Sequence, residues 1–407
     1  MLFTLIKNEL IKLLRKAKTW IVFGLFAIFI AVTIFAQYKS DKNIREWRTP
    51  EKQLEMAQDN LEYYNNELKN SKDSNINPEY ISYLEGEIEN SKNQIETYQD
   101  IIKNGLDEKA WKLQLDEEIK WTKESIENYK QYNDEWSKQY LMEAQEQLEM
   151  YTYLKDNNIE PLYGWEYEAY NYMTSLMQFL GMAILLCGIA VFMSDIVSGE
   201  CTPATLKFLL VQPVTRGKVL LSKFLSVTLV VLAMIIGGEL IGFSAVSLTS
   251  NLGGANYPVN IGTQYNKIIN SEGSAELVKV IGSGHMGTNS ELLIKAMLFQ
   301  VLFIITSCAV VFLISTLIKS SMITMAVSVV VTVFLTIASQ SISALKDIAH
   351  LLFVNYGDAI GVFSGNSAVM FKNSHMTVQN GIIVMVITSI VAYAIAHINF
   401  KNKDILI

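Results

Sequence analysis

Residues 292–318 read LLIKAMLFQVLFIITSCAVVFLISTLI, and this stretch decides the class of fold. Lys295 is its one charged residue, and it contains no proline. A helix needs about 20 predominantly apolar residues to cross the hydrocarbon core of a bilayer, since it rises about 1.5 Å per residue. The stretch meets this requirement. It therefore predicts a transmembrane helix.

Five other stretches have the same character, so the sequence predicts an all-α polytopic membrane protein with six transmembrane helices. The predicted spans are residues 20–38, 172–193, 224–249, 292–318, 322–340 and 379–400. All six prolines fall between these spans, at Pro50, Pro78, Pro161, Pro203, Pro213 and Pro258. Proline removes a backbone donor, and no water replaces it inside a bilayer. The placement of the prolines therefore predicts continuous helices.

Lysine and arginine in the short flanks set the predicted orientation, since positive residues stay on the cytoplasmic side. They precede the first span, separate the second from the third and the fourth from the fifth, and follow the sixth. We expect a multi-pass protein of the bacterial cytoplasmic membrane, with both termini and the tail at 401–407 in the cytoplasm. In residues 1–19 apolar residues recur at helical spacing among lysines, which predicts a cytoplasmic interfacial helix. The alternative, a cleaved signal peptide, would leave five spans and spoil the charge pattern.

The segment between the first two spans, residues 39–171, differs in character from the rest. Residues 41–168 contain 30 Asp and Glu against 15 Lys and Arg, a net charge of −15, whereas the remainder of the chain has +8. Apolar residues recur every three or four positions, as in Ile81, Leu84 and Ile88, and short breaks fall near Pro78 and Gly105. This pattern predicts an extracytoplasmic helical coiled-coil domain of three or four helices. Two interpretations stay open: a self-contained domain with a solvated acidic face, or one whose many Tyr and Trp residues bind a substrate or partner.

Motifs for chemistry are missing from the sequence. It has no phosphate-binding G-x-x-x-x-G-K-[ST] loop, no His/Cys cluster at metal-ligand spacing and no H-E-x-x-H motif. The four histidines are scattered singly. We therefore expect neither enzymatic activity nor a cofactor in this chain, and any energy input must come from another protein.

The inner loop, residues 194–223, reads SDIVSGECTPATLKFLLVQPVTRGKVLLSK and is the most informative segment for function. Thr202 followed by Pro203 is typical of a helix start, and Pro213 stops the short helix predicted at 204–211. Leu206, Leu209 and Leu210 share one face of that helix. They have little to bury against within this chain, so the pattern predicts a protein partner.

At these residues the sequence resembles the permeases of type-2 ABC exporters, in a branch similar to bacitracin-resistance, sodium-extrusion or bacteriocin-immunity proteins. The family's first inner loop carries an acidic residue, a Thr-Leu-x-x-Leu-Leu helix and a Pro-x-[ST]-Arg turn. The matching residues here are Glu200, Thr205, Leu206, Leu209, Leu210, Pro213 and Arg216. The resemblance implies that residues 204–211 form a coupling helix seated in a separate ATPase subunit, which would hold the ATP and Mg. The inserted block after the first span departs from many members of the family.

Glu239 lies inside the third predicted span, where a charge is costly and usually faces a bundle interior or a water-filled path. It is either part of a transport path or a structural residue at a subunit contact or near the outer interface. Two other segments are predicted on the outer side. Residues 250–291 form an outer loop, and residues 341–378 form either short re-entrant helices or a folded loop.

Three functions fit these observations. The preferred one is a permease that exports an amphipathic peptide antibiotic or lipid-like substrate, with an ABC ATPase and a second permease chain, identical or different, as partners. Extrusion of sodium or another cation is the second. The third is a mechanical or signalling relay from the ATPase to an extracytoplasmic partner. Membrane lipids are expected neighbours in each case, and nucleic acid is not.

Overall fold

The computed structural model describes residues 2–73, 78–105, 110–132, 135–200, 215–250, 252–269, 275–280 and 282–402. Within these ranges the chain forms fifteen α-helices and four short strands. The helices are α1 (Leu2–Arg15), α2 (Ala17–Trp47), α3 (Pro50–Asp73), α4 (Pro78–Asn104), α5 (Ala110–Tyr129), α6 (Glu135–Asp156), α7 (Ala169–Gly181), α8 (Ile184–Met193), α9 (Arg216–Thr249), α10 (Asn289–Leu317), α11 (Ser321–Ser341), α12 (Ser343–Asp347), α13 (Ala359–Ser364), α14 (Asn366–Phe371) and α15 (Val378–Asn402). The mostly helical fold is therefore confirmed.

Among the described residues, five helices are long and apolar enough to cross a membrane: α2, α9, α10, α11 and α15. The pair α7 and α8 meets the same criterion jointly, with a bend of 63° between its two halves. The protein thus has five candidate spans, or six when the bent pair is one span. We call the end of the bundle that carries α1 the α1 end, and the opposite one the hairpin end.

The predicted continuous helix over 172–193 is wrong, because the structure breaks it between α7 and α8. Ala183 has a φ of 74°, a left-handed backbone that no helix interior contains. Next to the break, a Cβ at Gly181 would overlap the carbonyl oxygen of Gly357, so the two backbones touch. The bend therefore arises from a tertiary contact, with the segment 353–364 packed against the helix.

Four helices form two hairpins at the hairpin end. α3 packs along α4, and α5 packs along α6. Predicted apolar positions face the interior of these pairs, since Ala57, Leu84, Leu115 and Ile126 are each less than 9% exposed. The described residues between α2 and α7 thus contain four helices, and the coiled-coil character of this segment stays a prediction.

The segment 250–291 contains strands that the all-α prediction did not include. β1 (Pro258–Ile261) pairs antiparallel with β4 (His285–Thr288), and β2 (Tyr265–Ile269) pairs antiparallel with β3 (Ala275–Lys279). Each strand is four or five residues long, too short to give a clear alternating pattern in the sequence. The segment 341–378 folds into α12, α13, α14 and two short 3₁₀ helices.

Helix α10 occupies the centre of the bundle and contacts α15, α8, α9, α7 and α13. Its small polar residues are satisfied inside the bundle, as for Thr306, whose hydroxyl donates to the carbonyl of Met385 at 3.1 Å. Close contact between helices at small residues is the usual way in which membrane helices pack.

Candidate functional site

At the α1 end a charged cluster joins the N-terminal segment to the end of α8. The Nζ of Lys18 lies 2.7 Å from Oδ1 of Asp195, and the Nζ of Lys16 lies 3.3 Å from Oδ2 of the same carboxylate. Burial by itself would raise the pKa of Asp195, but Lys18 and Lys16 outweigh it, so the pKa lies below its ordinary value. The two lysines therefore hold Asp195 in its charged form.

A second ion pair fixes α1 to α9. Lys223 Nζ lies 3.0 Å from Oε1 of Glu9, and their side chains are only 1% and 14% exposed. Nearby, the Ser226 hydroxyl donates to the carbonyl oxygen of Ile6 at 3.1 Å. A buried ion pair is costly to break, since removal of one partner leaves an uncompensated charge. Helix α1 and the first turns of α9 therefore form one unit.

Both ends of the inner loop are anchored to other helices. On one side, the Ser315 hydroxyl of α10 accepts from the backbone N–H groups of Val197 and Ser198, each at 3.2 Å. On the other side, the Arg216 guanidinium donates to the carbonyl oxygen of Lys401 at 3.4 Å. Movement of the loop would therefore be transmitted to α10 and α15.

Two of the predicted coupling residues, Glu200 and Arg216, lie in the described ends of the inner loop. Arg216 is the first residue of α9, directly after Thr215 at the N-cap position. Glu200 ends a short 3₁₀ helix, Ser198–Glu200. Thr205, Leu206, Leu209, Leu210 and Pro213 lie outside the described residues.

Glu239 lies within the bundle and is fully buried. Its Oε1 accepts a hydrogen bond of 2.7 Å from Nε2 of Gln300, a residue of α10 that is 1% exposed. In the part of the chain that the structure describes, Oε2 of Glu239 and Oε1 of Gln300 have no hydrogen-bond partner. Arg216 and Glu239 are 23 residues apart on α9, or about 35 Å. The structure therefore places Arg216, one of the predicted coupling residues, far from the buried carboxyl group of Glu239.

An apolar cleft lies between α2, α7, α8 and α9. Its volume is about 140 Å³, and all its lining residues are apolar: Val22, Phe26, Phe29, Leu180, Ile184, Leu185, Gly188, Ile189, Phe192, Val231, Met234 and Ile235. Ile184 is 41% exposed, so the cleft reaches the outer surface of the bundle. An apolar cavity of about 150 Å³ holds a group of the size of benzene. We call this feature the lateral cleft.

At the hairpin end, polar contacts connect the helical hairpins to the remainder of the chain. The Asn260 amide donates to Oε2 of Glu146 at 2.8 Å, and Lys279 forms an ion pair with the same carboxylate. These contacts connect α6 to β1 and β3. In the segment between α6 and α7, the backbone N–H of Tyr167 donates to Oδ1 of Asp41 of α2 at 3.1 Å.

Several of these residues were not singled out in the sequence. Asp195, Lys223 and Gln300 each find a partner more than 60 positions away in the chain. A lysine or glutamine in an apolar helix does give a signal, because polar residues within membrane segments usually face the bundle interior. The partner of each of these residues can be identified only from the folded structure.

A bundle with five or six long apolar helices among the described residues is the architecture of a multi-pass membrane protein. The chain belongs to the ABC-2 family, since the family model described as ABC-2 family transporter protein matches residues 3–405. Proteins of this family are transmembrane subunits of ABC transporters and normally work with an ATPase subunit. No curated protein matches the sequence.

Proposed function

We propose that the chain is the permease of an exporter that moves an amphipathic peptide antibiotic or a lipid-like substrate outward. The lateral cleft is the observation that carries this proposal. It is lined only by apolar groups and reaches the surface of the bundle, so an acyl chain or apolar side chain can enter it from the bilayer. A substrate with one polar and one apolar part fits such an entry.

The power for transport comes from a separate ATPase, with the α1 end in the cytoplasm and the helical hairpins outside. The bias of Lys and Arg toward the α1 end supports this orientation. Residues 204–211 form the coupling helix. Its movement, driven by the ATPase, is transmitted to the bundle through the two anchored ends of the inner loop. A second permease chain completes the assembly.

Extrusion of a cation is a second candidate function, favoured by Glu239 and its free Oε2. Oε2 of Glu239 and Oε1 of Gln300 have no hydrogen-bond partner among the described residues, so both oxygens are available as ligands for a cation. No group of three or more His, Cys, Asp or Glu side chains that could hold a metal ion occurs among the described residues, and we therefore prefer export of an amphipathic substrate. A mechanical relay through the hairpins to an extracytoplasmic partner is a third possibility.

Filling the lateral cleft tests the proposal. A Cβ added at Gly188 meets no atom within 4 Å, so Gly188→Phe can place a ring in the cleft without a backbone clash. Gly237 on α9 has equally open surroundings but does not line the cleft, which makes Gly237→Phe a matched control.

The measurement is efflux of an NBD-labelled phospholipid and of a dye-labelled amphipathic peptide, in cells that express the chain with its copurifying ATPase. Gly188→Phe should reduce efflux strongly at normal membrane levels of the protein, whereas Gly237→Phe should not. Unchanged efflux in Gly188→Phe would contradict the proposal. ATPase-dependent movement of sodium with no movement of either probe would favour the cation alternative.

A further inference from the structure

Four tyrosines form a cluster on the hairpin of α3 and α4. Tyr63 and Tyr64 of α3 contact edge to face, with ring centroids 5.4 Å apart, and Tyr80 and Tyr83 of α4 are stacked with centroids 6.2 Å apart. Tyr63, Tyr80 and Tyr83 are 61%, 37% and 54% exposed. We call these four residues the tyrosine patch.

The tyrosine patch is not the core of the hairpin. That core consists of smaller apolar residues, including Ala57, Leu84 and Ile88, which are almost fully buried. Three of the four rings instead lie on the surface, and Tyr64 is half-buried beside Tyr63. Tyrosines at a surface supply large contact area at a low cost in side-chain entropy, which is why binding surfaces are rich in them.

Negative charge surrounds the tyrosine patch. Helix α3 has six acidic and three basic residues, and α4 has six acidic and two basic ones. Two carboxylates lie next to the rings. Burial raises the pKa of Tyr80, and the charge of Glu67 raises it further. Burial likewise raises the pKa of Tyr64, and the charge of Glu87 adds to this. An occupant of the patch would therefore meet aromatic faces and negative charge together.

We propose that the tyrosine patch binds a cationic amphipathic peptide. Apolar side chains of the peptide would pack on the rings, and its lysines or arginines would lie over ring faces or pair with Glu67 and Glu87. The same domain already contains such contacts, since the guanidinium of Arg48 lies 5.2 Å from the ring centroids of both Tyr163 and Trp165. An anionic polymer would be repelled by the acidic helices, whereas a cationic peptide gains attraction from the same carboxylates and contact with the rings.

The inference deepens the proposed function, because it names the substrate class, and it rests on that function for the statement that the bound peptide is then transported. Binding itself needs neither ATP nor the ATPase. The two claims can therefore be tested separately.

The test uses the full chain in zwitterionic lipid nanodiscs without ATPase, with empty nanodiscs as the blank. The probe is a fluorescein-labelled peptide of alternating Lys and Leu, and fluorescence anisotropy measures its affinity. The double variant Tyr63→Ala/Tyr83→Ala should bind about tenfold more weakly. Tyr63→Phe/Tyr83→Phe should bind nearly as well as the natural chain, because it keeps the rings and the fold.

Three further arms define the chemistry. Glu67→Gln/Glu87→Gln should weaken binding and reduce its dependence on salt. Trp121→Ala is the control, since Trp121 is 66% exposed on α5, outside the tyrosine patch, and its loss should change nothing. A peptide of alternating Glu and Leu should not bind.

Equal affinity of the natural chain and Tyr63→Ala/Tyr83→Ala overturns the inference. Equal binding of the Glu–Leu peptide also overturns it, because the charge of the occupant would then not matter. Displacement of the Lys–Leu peptide by a chitin tetrasaccharide overturns it as well, since the patch would then be a glycan surface. A chain that binds the peptide at the patch but shows no ATPase-dependent efflux refutes the proposed function alone. Normal efflux in the Tyr63→Ala/Tyr83→Ala variant refutes the patch as a step in transport.

Discussion

The α1 end and the helical hairpins both carry many ion pairs, but the pairs differ in reach and burial. At the α1 end, Lys18 bonds to Asp195 and Lys223 to Glu9, across 177 and 214 positions of sequence. In the hairpins many pairs are local and exposed, such as Lys52 with Glu55 and Lys130 with Glu127, three positions apart. The first kind determines how distant elements sit together, whereas the second only supports a helix that already exists. Ion pairs at the α1 end should therefore contribute far more to the stability of the protein than those in the hairpins.

The largest effect is expected at Lys223. Lys223→Met leaves the carboxylate of Glu9 nearly buried and unpaired, which should cost about 3 kcal/mol or more of stability. The double variant Glu9→Gln/Lys223→Met should recover much of this loss, because no buried charge remains. Thermal unfolding of the purified protein in detergent, followed by fluorescence, measures both. If Lys223→Met unfolds like the natural chain, the comparison between the two regions fails.

Next in size is Leu209 of the proposed coupling helix. Burial of one leucine stabilises an interface by roughly 1.5–3 kcal/mol, so Leu209→Asp should abolish copurification with the ATPase or uncouple its hydrolysis from transport. Glu200→Gln should have a milder effect, since a partly exposed charge pair contributes under about 1 kcal/mol. Both variants should still insert in the membrane. Intact association and transport in Leu209→Asp would show that 204–211 is not the coupling element.

The buried pair of Glu239 and Gln300 extends the comparison to the interior of the helical bundle. Glu239→Gln keeps a side-chain oxygen in reach of the Gln300 amide and should leave stability nearly unchanged. Glu239→Ala leaves that amide without its partner at a cost of about 1–3 kcal/mol. Retention of the folded, monodisperse protein on heating distinguishes the two variants. Equal losses in both would mean that the charge of Glu239, rather than its hydrogen bond, stabilises the bundle.

These contrasts also explain what the sequence could predict. The spans and hairpins could be predicted because their patterns are local and extend over many residues. Examples are the apolar run at 292–318 and the spacing of Leu84 and Ile88. The bend between α7 and α8 could not be predicted, because it depends on Gly357, which is 176 positions from Gly181. Likewise Lys223 signals a buried partner, but nothing in the sequence selects Glu9. The sequence therefore predicts patterns within one element, but it does not predict which residues of distant elements pair.

A smaller effect on stability is expected when the pH is lowered and Asp195 is protonated. Its folded pKa lies below the ordinary value, so its contribution is present above the unfolded pKa and is lost as pH falls through the folded pKa. Stability of the natural chain should therefore drop more steeply below about pH 4 than that of Asp195→Asn. The difference should be about 1 kcal/mol, because Lys16 and Lys18 are partly exposed. Parallel curves of melting temperature against pH for the two proteins would show that Asp195 contributes nothing at this cluster.

The smallest effect is expected in the hairpins, at the ion pair of Lys155 and Asp116. It joins α6 to α5 over 2.6 Å, so by distance alone it is as good as any pair at the α1 end. Its side chains are 54% and 50% exposed, however, and water compensates each charge when the other is removed. Lys155→Met should therefore leave stability almost unchanged, even though it breaks a contact between two helices. The measurement is the same thermal unfolding used for Lys223→Met, at low and at high salt, and salt should remove what little effect there is. A loss in Lys155→Met as large as that in Lys223→Met would mean that reach along the sequence, and not burial, decides what an ion pair contributes here.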